Sequence, residues 1–282
     1  MKAQRQRPGC ATHLWIVIGV LGQMEDHSNT VSGRRGAKRV KGVTVMLMPW
    51  AIDEMKNVDL KDKRLNDRLT AVRAQLGGHP TASVPAACGG YAEMTAAYRL
   101  FDNEKVCFDN VLEPHIEATR RRMAEQPVVI LAQDTTEIDL TRPQQQVAGA
   151  GPLDGGSRRG LFLHPLHAFT PDGTPLGTVH ADVWARDDER PPPKSARAAK
   201  RKQTPIEEKE SQRWIDTLRR ACEEARRVPE TRVVCVADSE ADIYELLVAA
   251  EEKPRAVGWI VRACQNRAVE KEPENTANPA LH

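Results

Sequence analysis

Two aspartates carry the chemistry that this sequence could perform. Asp134 lies just past Val128-Val-Ile-Leu-Ala132, and Asp238 directly follows Arg232-Val-Val-Cys-Val-Ala237. Both runs are short, β-branched and apolar, the composition of strands buried in the middle of a sheet. If the two strands are neighbours, the carboxylates meet at one end of the sheet and can share a divalent ion. Carboxylate oxygens are hard ligands suited to Mg²⁺, with Mn²⁺ as a substitute, and two such ions about 3.5–4 Å apart support phosphodiester cleavage. The plainer alternative is that acids often end strands or cap the next helix, as Asp238 could before Ala241-Asp-Ile-Tyr244. Glu137, Asp139, Glu240 and Asp242 crowd the same strand ends and are either ligands or solvated neighbours.

Basic residues mark a second candidate function. Lys61, Lys63, Arg64 and Arg68 gather at the start of a helical stretch, but Asp59, Asp62 and Asp67 interleave with them. Charge alone therefore reads this segment as an exposed, ion-paired helix face. Arg190, Lys194, Arg197, Lys200, Arg201 and Lys202 follow one another without an intervening acid in a Pro-rich loop. Such a loop suits either phosphate neutralisation or a solvated linker. His164 and His167 stand an odd number of residues apart on a strand, which points them to opposite faces and favours structural roles over a shared metal. The six cysteines are scattered without a Cys-x-x-Cys pair, which argues against a zinc site and fits a reducing, cytoplasmic setting.

The elements that must position these residues fall into two composition regimes. The chain has 282 residues and 40% hydrophobic content, enough for one large or two ordinary domains. Its longest apolar run, Leu14 to Leu21, is far short of the roughly 20 residues that span a bilayer, so no membrane association is expected. Lys2, Arg5 and Arg7 before that run imitate a signal peptide, but no small-residue cleavage site follows. Residues 1–45 hold eight Lys/Arg against two Asp/Glu and read as a disordered or non-native extension, with patterned sequence starting near Met46 and Met48. The remainder is slightly acidic, so global charge makes no case for nucleic acid.

Residues 46–124 suit a small helical domain, with helices expected at 59–76, 91–102 and 108–124. Residues 125–267 change character. Strands are expected at 128–132, at 161–169 and 176–184 around the turn Thr170-Pro-Asp-Gly-Thr-Pro175, at 232–237 and at 256–262. Helices are expected at 206–227, where Trp214, Leu218 and Cys222 share a face, and at 240–252. The order β, β-hairpin, α, β, α, β matches an α/β ribonuclease H-like mixed sheet, which brings the ends of its first and fourth strands side by side. Residues 268–282 are polar and Pro-containing and read as a disordered tail.

Asp134-Thr-Thr-Glu137 and Ala237-Asp-Ser-Glu-Ala-Asp-Ile-Tyr-Glu245 resemble the first and second catalytic-aspartate motifs of bacterial cut-and-paste DDE transposases. The group is the insertion sequence four family, which includes the transposase of transposon five. Five further matches fall in the family's order: Val58-Asp-Leu-Lys-Asp-Lys-Arg-Leu65, Ala96-Ala-Tyr-Arg-Leu-Phe101, Gly160-Leu-Phe-Leu-His164, Glu208-Lys-Glu-Ser-Gln-Arg-Trp214 and Val261-Arg-Ala-Cys-Gln-Asn266. The resemblance implies Mg²⁺-dependent cleavage and strand transfer at transposon ends, with Asp134 and Asp238 as metal ligands and catalytic residues. It also implies that Lys61, Lys63, Arg64, Arg68 and Arg99 contact double-stranded DNA of the terminal repeats, and that the protein works as a homodimer near the bacterial nucleoid.

Two departures qualify those implications. Ser239 stands where the family's second motif has arginine, which should weaken a local salt bridge or DNA contact without removing a metal ligand. The family's third ligand, a glutamate in a Y-x2-R-x3-E-x6-K signature, has no counterpart here, and neither do its C-terminal dimerisation helices. The sequence is therefore expected to be a product truncated before the catalytic glutamate. The competing expectation is a non-catalytic DNA-binding or inhibitory fragment.

Overall fold

The computed structural model describes residues 38–40, 43–45, 48–142, 144–188, 203–251 and 257–267. The Pro- and Lys-rich loop, the tail after 267, and Trp15 and Ile18 of the N-terminal extension lie outside these residues. Within the region expected to be irregular, β1 (Lys38–Val40) and β2 (Val43–Val45) pair as a short antiparallel ribbon.

Five helices follow: α1 (Pro49–Glu54), α2 (Lys63–Gly77), α3 (Val84–Ala87), α4 (Tyr91–Phe101) and α5 (Phe108–Ala124). Proline at the first position starts α1, and the Asp62 carboxylate caps α2 by accepting from the Arg64 amide at 2.8 Å. Leu60, Leu69, Val72, Leu76, Leu100, Phe101, Val106 and Val111 bury one core between α2, α4 and the first turn of α5. Leu112 and Ile116, one turn further along α5, pack instead against Ala181 and Val183 of the sheet. The two packing stripes of α5 make it the seam of the molecule.

The sheet contains β3 (Val128–Gln133), β4 (Thr136–Asp139), β5 (Gly151–Pro152), β6 (Arg159–Phe169), β7 (Pro175–Trp184), β8 (Arg232–Ala237) and β9 (Gly258–Val261). β6 pairs with β7 on one side. On its other side it pairs with β3 through Leu166–Phe169 and with β4 nearer its start, while the short β5 pairs with Arg159 and Gly160 on the β7 side. β8 is parallel to β3, and β9 is parallel to β8. Along the long axis the strands therefore run β7, β6, β3, β8, β9, the first three antiparallel and the last three parallel.

Between β7 and β8 lies α6 (Gln212–Arg227), preceded by a 3-10 turn at Ile206–Glu208, and α7 (Tyr244–Glu251) joins β8 to β9. Trp214, Ile215, Leu218, Ala221, Cys222 and Ala225 form the buried stripe of α6. All of these but Cys222 meet Val129 and Leu131 of β3, Leu166 of β6 and Val233 and Cys235 of β8 in a second core.

The outer edge of β7 is covered by α5 side chains. His115 Nε2 accepts the Thr178 main-chain N–H at 2.8 Å, and Arg122 Nε donates to the Leu176 carbonyl at 2.6 Å. Two groups that an open edge would leave unpaired are thereby satisfied. The approach is close enough that a Cβ on Gly177, whose φ is +131°, would lie 2.2 Å from Thr119 Oγ1.

A candidate two-aspartate site beside a helical DNA-binding domain

Gln133 and Ala237 are Cα partners at the last register position of the parallel β3–β8 pairing. The next residue on each strand is an aspartate, so Asp134 and Asp238 leave the sheet side by side at the same end. The adjacency follows from register, since paired strands run about 4.8 Å apart.

Asp238 is half-buried and caps the 3-10 turn Ser239–Ala241, with Oδ1 accepting from the Glu240 amide at 2.8 Å. Its other oxygen faces Arg262 Nη2 at 3.5 Å, and the same guanidinium donates to Ser239 Oγ at 3.2 Å. The serine thus takes part in a polar contact at the second aspartate motif. Asp134 is exposed, and Oδ1 accepts from the Thr135 amide at 2.7 Å. Asp238 therefore caps this turn through Oδ1, and among the described residues its Oδ2 faces the exposed Arg262.

The acids around the pair divide. Glu137 accepts from the Asp154 amide and from Arg158, and Asp139 lies 3.7 Å from Arg158 Nη1. Asp242 is buried, accepting the amides of Cys264 and Gln265 and an ion pair from Arg267; the two amide hydrogen bonds, helped by that guanidinium, hold its carboxyl down at about 2. These three are committed to structural partners. Glu240 is exposed and lies 3.7 Å from Arg213. Among the described residues, no group of three or more His, Cys, Asp or Glu is arranged to hold a metal. The carboxylates that the register places side by side at this sheet end are Asp134 and Asp238.

Beneath the aspartates runs a buried polar chain that sequence reasoning did not anticipate. Arg213 Nε donates to Thr135 Oγ1 at 3.0 Å, and Thr135 lies 2.8 Å from His164 Nδ1. His164 Nε2 lies 3.3 Å from Gln133 Oε1. Because Arg213 can only donate, the Thr135 hydroxyl gives its proton to Nδ1, and His164 carries its own proton on Nε2 toward Gln133. Burial, reinforced by the Arg213 charge, pushes the His164 pKa down to about 3, so the ring is neutral. His167 lies 2.9 Å from Thr178 Oγ1, and its pKa falls to about 4, chiefly by burial. Both histidines serve structure. The signal for Arg213 was present in Glu208–Trp214, but spacing alone does not disclose what it touches.

Of the five basic candidates of the helical domain, Lys61, Lys63, Arg64 and Arg99 are exposed. Lys61 pairs with Asp59, Lys63 Nζ lies 3.0 Å from Asp67, and Arg64 Nε lies 3.8 Å from Asp62. Each of these contacts joins exposed or partly exposed side chains, where an ion pair contributes little and opens readily. Arg68 is half-buried on α2, and Arg99 is exposed in the last turn of α4.

Comparison with known proteins bears on this domain. No curated protein matches the chain. Residues 47–106 match the family model described as transposase DNA-binding, a span that runs from α1 to the end of the loop after α4 and carries all five basic candidates, so the chain contains a transposase DNA-binding domain.

Proposed function

We propose that this chain is a transposase of the insertion sequence four group, in which the helical domain recognises transposon ends and the mixed sheet is a ribonuclease H-like catalytic unit. The observation that carries the reading is the pairing of a transposase DNA-binding match with two aspartates in register at one sheet end. The strand order supports the fold reading. Taking β3, β6, β7, β8 and β9 as strands one to five, the spatial order is 3-2-1-4-5 with the last two parallel to the first.

Asp134 and Asp238 would hold Mg²⁺, which supplies activation of water and stabilisation of the departing 3′-oxygen in phosphodiester cleavage. Arg262, 71% exposed at its side chain, is free to turn from Asp238 toward a DNA phosphate when an ion takes its place. Lys61, Lys63, Arg64, Arg68 and Arg99 would neutralise backbone phosphates of the terminal-repeat duplex. A homodimer on paired ends would be the working form.

A second reading, a DNA-binding or inhibitory form that does not cut, is favoured by one observation. The described residues bring together two carboxylates and no third ligand. Two ligands bind an ion more weakly than three and stabilise less charge in the transition state, at about tenfold in rate per 1.4 kcal/mol. Fluorescence anisotropy against terminal-repeat duplex and a scrambled duplex tests the shared part of both readings. Preference for the repeats is expected, and equal affinity for the two would contradict it. Mg²⁺-dependent nicking that disappears in Asp134→Ala then separates the cutting form from the non-cutting form.

A further inference from the structure

We infer that Arg213 is a positioning residue that clamps together the two loops carrying Asp134 and Asp238, an inference that rests on the two-aspartate reading of the site. Each aspartate sits one residue beyond its strand, where the sheet ladder no longer fixes it. Something else must hold the two loops in mutual register if their carboxylates are to serve one ion. Among the described residues, Arg213 reaches both loops. Its Nε donates to Thr135 Oγ1 at 3.0 Å, next in sequence to Asp134. Its Nη2 lies 3.7 Å from Glu240, whose amide is the one that Asp238 Oδ1 accepts.

The arginine is itself held. Nη1 donates to the Glu210 carbonyl at 2.9 Å, the guanidinium lies 5.0 Å from the centre of the Trp184 ring, and the side chain is 11% exposed. Glu210 in turn accepts two hydrogen bonds of 2.7 Å from Arg186, just beyond β7. On the Asp134 side, the Thr135–His164–Gln133 chain pins both sequence neighbours of the aspartate. The planar guanidinium reaches Thr135, Glu210 and Glu240 at once, and lysine cannot reproduce that reach with one point charge.

The test is amide hydrogen exchange on the full chain, read in peptides covering 133–137 and 238–242. Arg213→Gln is expected to speed exchange at least tenfold in both loops while leaving α2 and α4 unchanged. Thr135→Val should loosen the first loop alone, and Glu240→Gln the second alone. If Arg213→Gln fails to fold, those two single-arm variants decide the matter. Unchanged exchange in both loops would overturn the clamp. Mn²⁺ titration of the same proteins separates this inference from the site reading. Arg213→Lys, which keeps the charge and loses the shape, should weaken Mn²⁺ binding about tenfold, and wild-type affinity in that variant would count against a positioning role. Absence of Mn²⁺ binding in the wild type would remove the metal site while leaving the clamp to stand or fall on exchange.

Discussion

Arg122 of α5 donates to Glu54 of α1 at 2.7 Å while its Nε holds the Leu176 carbonyl of β7, so one side chain joins the DNA-binding domain to the edge of the sheet. Glu54 is 5% exposed and also receives a hydrogen bond from His115, and Arg73 of α2 lies 3.9 Å away. Burial is the largest single influence on Glu54 and would raise its pKa. The hydrogen bonds from His115 and Arg122, with the charge of Arg122, outweigh it and lower the value from 4.5 to about 2.

Removing that carboxylate takes away the buried acceptor shared by His115 and Arg122. Glu54→Ala is expected to lower the unfolding free energy by about 3–5 kcal/mol, the usual cost of breaking a buried pair from one side. Urea denaturation checks this, and a loss below about 1 kcal/mol would show the junction to be solvated. Because the folded pKa is depressed, the contribution is complete above pH 4.5 and lost as pH falls toward 2. The acid sensitivity in that window should shrink in Glu54→Gln.

His164 makes a separate pH prediction. Its pKa lies near 3 in the folded chain against 6.5 when exposed, so the unfolded state binds the extra proton between those values. Stability therefore falls as pH drops below about 6.5, by up to about 1.4 kcal/mol per pH unit for one group. His164→Asn should flatten the slope between pH 6 and 4 by about one proton, and an unchanged slope would mean that the ring is not buried neutral.

Gly177→Ala should be costly for a reason that no sequence motif announces. The backbone there occupies a region unsuited to L side chains, and the new methyl would collide with Thr119 of α5. A loss of at least about 2 kcal/mol is expected by thermal or urea unfolding. Gly173→Ala provides the comparison, since its φ is +90° but its surroundings are open. Equal losses at the two positions would show that the helix does not press on the strand.

Arg64→Ala and Arg99→Ala should each reduce duplex affinity and lower the slope of log affinity against log salt by roughly 0.9 for each phosphate no longer neutralised. A measured salt slope unchanged in both variants would take these residues out of the interface.

The positions of the strongly patterned elements were legible from residues alone. The 3.6-residue stripe of Trp214, Leu218 and Cys222 and the turn at Thr170–Pro175 fixed α6 and the β6–β7 hairpin because burial and turn chemistry leave local marks. β4 was not legible, since Thr136-Glu-Ile-Asp139 is polar and forms a strand only because β6 extends past β3 and offers it an edge. The site was half legible. Strand-ending aspartates show in the sequence, whereas Arg213, His164 and Glu54 take their meaning from partners far along the chain, and no spacing rule discloses those partners.

On the proposed function, Asp134 and Asp238 would act as one divalent-ion site. Mn²⁺ binding, followed by the electron paramagnetic resonance of free Mn²⁺ in titrations of the wild type, Asp134→Asn and Asp238→Asn, tests it most directly. One site of modest affinity is expected in the wild type, weakened at least tenfold by either substitution. Wild-type Mn²⁺ affinity in either single variant would contradict it.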